Sequence, residues 1–189
     1  MIHYFSSLLT GFISIAIGVS SGQEPGPKPV VFTTPPQRIE LRRPDDPQTY
    51  HGQASLTLLE AGSDDTIRAQ LVVTLTSEER QRLGQPGLEL PETIGRQELR
   101  LRWHKGTSCP DIDLDLPTVR LAVSQAVSQA VNGRQLETRP TRVRIDVSLR
   151  TVETLPQLLC SWTRQINAGR PRQGIIMAIN RLLLPAEPN

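Results

Sequence analysis

Arg142-Val143-Arg144-Ile145-Asp146-Val147-Ser148-Leu149-Arg150 alternates polar and apolar residues without a break. In an extended chain successive side chains point to opposite faces, so Val143, Ile145, Val147 and Leu149 share one face and Arg142, Arg144, Asp146 and Arg150 share the other. Branched apolar residues at every second position fit a pleated, half-buried surface. A strand of this kind needs neighbours of the same pattern, and the chain supplies them upstream. Asp111-Ile112-Asp113-Leu114-Asp115-Leu116 alternates with carboxylates on one face, and Glu98-Leu99-Arg100-Leu101-Arg102-Trp103 alternates with arginines on one face. Further upstream, Ala54, Leu56 and Leu58 form one strand and Ile67, Ala69, Leu71, Val73 and Leu75 another. Between them Glu60-Ala61-Gly62-Ser63-Asp64-Asp65 has loop composition, which suits a hairpin with a loop of about five residues. Arg38 to Arg42 alternates as well and reads as a short edge strand.

Helical signals fall between and after these strands. Ser77 is placed to cap a short helix whose first turn holds Glu78 and Glu79, with Gly84, Pro86 and Gly87 ending it. Val119, Ala122, Val123, Ala126, Val127, Ala130 and Val131 recur at three- and four-residue spacing, predicting a helix from Pro117 or Thr118 to the stop at Asn132-Gly133. Leu155, Leu158, Leu159, Trp162 and Ile166 form an amphipathic stripe that stops at Gly169-Arg170-Pro171. Gly174 to Leu184 is a second, more apolar helix or a buried strand. The fold class is α+β, a mostly antiparallel sheet of five to six strands with two to three helices packed on one face.

The N-terminal region reads differently. Leu8 to Val19 is an apolar run too short to span a bilayer, closed by Ser20, Ser21 and Gly22, and it fits a secretory signal peptide over residues 1–22. The preceding Met1-Ile2-His3 carries no Lys or Arg, so the terminal amine supplies the positive charge. Residues 23–48 hold prolines 25, 27, 29, 35, 36, 44 and 47 and read as an extended tether. Residues 49–189 then form a single domain. Export to a periplasmic, cell-surface or extracellular location places Cys109 and Cys160 in an oxidising compartment, where a disulfide between them is expected.

Twenty-one basic residues against nineteen acidic ones leave a net charge of +2, too balanced to imply a nucleic-acid partner. Lys28 and Lys105 are the only lysines, so the basic residues are otherwise arginine. Asp111, Asp113 and Asp115 lie about 7 Å apart on one strand face, too wide for one cation unless His104 or a bend helps. As a calcium loop the segment fails, with Leu116 where glycine is needed and Ala122 where a bidentate Glu is needed. Opposite charges paired across the sheet are the favoured reading of these aspartates, with metal binding as the alternative. Arg100, Arg102, Arg142, Arg144 and Arg150 form a second candidate set, for an anion. Neither a GxSxG elbow, a phosphate-binding glycine loop, GxGxxG nor HExxH occurs, and no cofactor is implied. The expected function is that of an exported, non-enzymatic binding or structural accessory domain whose partner is another envelope or extracellular protein. The alternative is an exported hydrolase or metal-binding protein using Asp111, Asp113 and Asp115 with His104.

Overall fold

The computed structural model describes residues 30–84, 93–147 and 154–183. The spans read as a signal (1–22), the start of the tether, Arg150 and Pro185 lie outside them. Eight strands form one sheet: β1 (Gln37–Arg43), β2 (Asp46–Ala61), β3 (Thr66–Leu75), β4 (Thr93–Trp103), β5 (Asp111–Leu116), β6 (Arg120–Ala122), β7 (Gln135–Thr138) and β8 (Thr141–Asp146). Four helices accompany it: α1 (Ser77–Leu83), α2 (Gln125–Val131), α3 (Thr154–Asn167) and α4 (Gln173–Leu182). The strand order is β6-β7-β1-β2-β3-β4-β5-β8, and every paired neighbour is antiparallel. The α+β class stands, but among the described residues the sheet has eight strands where five to six were expected.

Of the two further strands, β6 lies inside the stretch whose spacing predicts a helix and β7 follows directly after its stop. The spacing of Val119, Ala122 and Val123 suits a helix, yet Arg120–Ala122 is extended and pairs with Gln135–Thr138, and helix α2 starts only after Ser124. Ser124 accepts from Val127 N, so the cap divides a strand from a helix inside one periodic run. A similar one-residue difference occurs at α1, where Thr76, not Ser77, accepts from Glu79 N and caps the helix. The β2–β3 loop is Gly62–Asp65, with Asp65 in the left-handed region at φ 60°.

β1 is not an edge strand. It lies between β2 and β7, with Ile39 and Leu41 buried, so the sheet begins inside the span read as a tether. The preceding residues continue its line: Thr34 N donates to Leu56 O, Leu58 N donates to Phe32 O, and Val30 N donates to Leu182 O at the end of α4. Where this pairing runs out, Asn180 of α4 closes the β2 edge by accepting from Ala61 N at 2.6 Å and donating to Ala61 O at 3.0 Å.

The sheet curls strongly. β6 comes back against β4 and β8 against β1. Gly95 in β4 allows this close approach, because a Cβ there would meet Leu121 of β6 at 3.0 Å. The β1–β8 seam is bolted by a side chain: Gln37 accepts from Arg144 N at 2.7 Å and donates to Arg144 O at 2.5 Å. The inward face of every strand joins α2, α3 and α4 in one apolar core. At its centre Trp103 of β4 packs on Trp162 of α3, ring centroids 4.3 Å apart, and the Trp103 indole donates to Thr163 Oγ1. Beside them Cys109 and Cys160 form a disulfide, as expected. Among the described residues no helix is long and apolar enough to cross a membrane.

Candidate arginine-lined site

The polar face of β4, β5 and β8 is where the sequence placed its candidate chemistry, and the pairing register decides what meets there. Asp115 lies between Arg102 of β4 and Arg142 of β8, Asp113 lies opposite Arg144, and Asp111 lies opposite Asp146. Among the described residues only one of the three aspartates forms the cross-strand ion pair expected of a charge ladder: Arg144 Nε reaches Asp113 Oδ1 at 3.1 Å. That hydrogen bond, reinforced by the charges of Asp113, Asp111 and Asp146, holds the Arg144 guanidinium above its usual pKa. Asp111 faces a like charge instead, because the register brings two acids together.

Asp115 turns to His104, whose Nδ1 lies 2.8 Å from its Oδ1. His104 leaves the end of β4 and its N–H donates to Asp113 O. The loop that follows is tightly held. Thr107 Oγ1 accepts from Asp113 N and donates to Asp111 O, Asn167 of α3 donates to Thr107 O, and the disulfide ties Cys109 to α3. Both sulfurs are in the disulfide, so neither cysteine is a nucleophile here.

Arg100, Arg102, His104, Asp115 and Arg142 line one open depression of about 570 Å³, with Leu116, Pro117 and Pro140 between them. Four of the sequence candidates for anion binding and metal binding thus share a wall with Arg142, while Arg144 is taken by Asp113 and Asp111 and Asp113 do not line the depression. Among the described residues, Arg100, Arg102 and Arg142 have no carboxylate within ion-pair distance. Among those residues there is also no group of three His, Cys, Asp or Glu side chains placed to hold a metal ion. The reason is geometric: Asp111, Asp113 and Asp115 point along one straight strand, and their nearest partners are an acid, an arginine and a histidine.

A second cleft, of about 960 Å³, was not visible in the sequence. It opens between the β2–β3 loop and the α3–α4 turn, and Arg68, Arg100, Arg170 and Arg172 line it. Gly169, at φ 61°, ends α3; its N–H donates to Ile166 O and the Arg170 N–H to Gln165 O. The chain then runs past Pro171 so that Arg172 forms an ion pair with Asp65 of the hairpin loop. The sequence signal is two arginines flanking the proline of a helix stop, a pattern that by itself encodes only the stop. Arg68 and Arg100 lie directly opposite each other on β3 and β4. Glu60 at 3.2 Å and Glu98 at 3.5 Å offset the charge of Arg68, but neither forms an ion pair with Arg100. Asp64, on the same rim, has its carboxyl held below the usual range, first by the hydrogen bond from Thr66 and its own backbone and then by Arg100 and Arg102. Comparison with protein-family models, with curated proteins and with solved structures finds no match for this chain.

Proposed function

We propose that the chain is an exported, non-catalytic binding domain that holds an acidic group of an envelope or extracellular partner in the β4–β5–β8 depression. The observation that carries this reading is a charge imbalance in a concave place. Arg100, Arg102 and Arg142 converge without carboxylates of their own, and the one acid among them, Asp115, is engaged by His104. Guanidinium groups offer forked donors that match carboxylates, sulfates and phosphates, and an open site lets a partner's side chain enter. The disulfide supports an oxidising destination, and the apolar segment before residue 23 supports export.

Calorimetric titration with inorganic sulfate and with pyrophosphate tests the binding part. Saturable binding to the parent that is lost in R102A/R142A supports it. Binding that is absent, or unchanged in that variant, overturns it. Deleting residues 1–22 tests export, which fails as a reading if the protein still leaves the producing cell.

One observation favours a second reading, the exported hydrolase or metal-binding protein. The His104–Asp115 contact is the geometry that orients an imidazole as a general base. Turnover of chromogenic carboxylic and phosphate esters that is abolished in H104A, or calorimetric binding of Ca²⁺, Mg²⁺ or Zn²⁺ that is lost when Asp111, Asp113 and Asp115 become alanine, would replace the first reading with this one.

A further inference from the structure

We infer that the depression and the hairpin cleft are two halves of one track, and that its occupant is an extended segment of a partner protein with acidic residues spaced between apolar ones. This rests on the binding reading above and names the partner chemistry. Continuity comes from Arg100, which lines both cavities. Around it the arginines run in spatial order from Arg142 on β8, through Arg102 and Arg100 on β4 and Arg68 on β3, to Arg170 and Arg172 beyond the hairpin. β3 to β8 is three strand spacings, about 14 Å, and the cleft extends it, so an extended segment of roughly six to eight residues fills the track.

Two features of the walls select the occupant. Glu60, Asp64 and Asp115 interrupt the arginines, so a polymer with a negative charge at every step meets repulsion at three places. Between the charges are exposed apolar positions: Pro117 and Pro140 in the depression and Met177 in the cleft. A peptide whose acids are separated by apolar residues satisfies both, whereas a nucleic acid or a uniformly charged glycan satisfies neither. Tyr50, Trp103 and Trp162 are buried, so they offer no platform on which bases stack. Arg100 gives the site its centre. Arg68, directly opposite it, already has Glu60 and Glu98, so Arg100 is the cation of the pair left for a partner's carboxylate.

A library of octapeptides with two to four Asp or Glu among apolar residues, measured by fluorescence anisotropy against the full chain, tests the assignment. All-glutamate octapeptide, heparin and single-stranded DNA serve as competitors. The expected result is saturable binding to library members, weakened at least about tenfold by R100A and weakened also by R142A and by R170A, with melting temperatures unchanged. Loss in R142A but not in R170A overturns the continuous track and leaves the depression reading standing. Tighter binding of all-glutamate peptide, heparin or DNA overturns the peptide assignment. No binding by any member, or binding that none of the three substitutions alters, overturns the track; sulfate binding that also ignores R102A/R142A removes the depression reading with it.

Discussion

The two ends of the curled sheet carry similar numbers of arginines and treat them differently. On the β6–β7–β1 side most of them have an acid, Arg38 of β1 being an exception among the described residues. Arg120 Nε lies 2.7 Å and Arg42 Nη2 3.7 Å from Glu137, whose side chain is only 6% exposed, and Arg139 lies 2.9 Å from Glu40. On the β4–β5–β8 side Arg100, Arg102 and Arg142 line a concave surface without acids of their own, and the structure there is fixed by other means. Those means are the tryptophan pair, the bonds around Thr107 and the disulfide. Ion pairs secure one end as scaffold; at the other, apart from Arg144–Asp113, the scaffold is apolar and covalent, and Arg100, Arg102 and Arg142 take no part in it.

The largest test of this contrast is removal of the covalent tie. The disulfide closes a loop of 51 residues, so C109S/C160S is expected to lose about 4 kcal/mol on the chain-entropy account. Urea unfolding measures it, and a loss below 1 kcal/mol would mean that the site end is held by packing alone. Next comes the ion-paired end. R42A/R120A leaves the buried Glu137 carboxylate without a cation and is expected to cost about 3 kcal/mol; a near-neutral result would erase the distinction between the two ends. Smallest is the arginine set itself. R100A, R102A and R142A should each change stability by no more than about 0.5 kcal/mol. In the same R100A variant, NMR titration should find the Asp64 carboxyl titrating at higher pH than in the parent, since one of the cations holding it down is gone. An unchanged Asp64 would separate the hairpin rim from the arginine surface.

Much of the fold was legible, for reasons tied to burial. β2, β3, β4, β5 and β8 alternate because each has one face in the core, and that period survives whatever the neighbouring strand is. The Cys109–Cys160 bond was legible because only two cysteines exist. β6 and β7 were not legible. They are three and four residues long, and Leu136, Glu137 and Thr138 are buried in succession, so no period of two appears. The central position of β1 was hidden because its neighbour β7 lies far along the chain.

The site was half legible. The residue types on each strand were evident, but pairing depends on register, and register placed Asp115 between Arg102 and Arg142 and Asp111 opposite Asp146. Arg38–Arg42, Glu98–Arg102 and Arg142–Asp146 look alike as strings. Only the fold shows which arginines acquire acids. The hairpin cleft needed the turn after α3 to bring Arg170 and Arg172 to the cleft that Arg68 also lines, a placement that no local pattern encodes.

Gln37 has a consequence beyond closing the seam. β8 is the last strand of the sheet, and a strand in that position offers its backbone groups to any passing strand, including one from a second molecule. The Gln37 amide occupies both backbone groups of Arg144, midway along β8, so a docking strand would find its central rung already filled. One side chain therefore discourages edge-to-edge self-association, the common route by which open sheets polymerise, and it does so beside the surface that this protein is proposed to present to its partner.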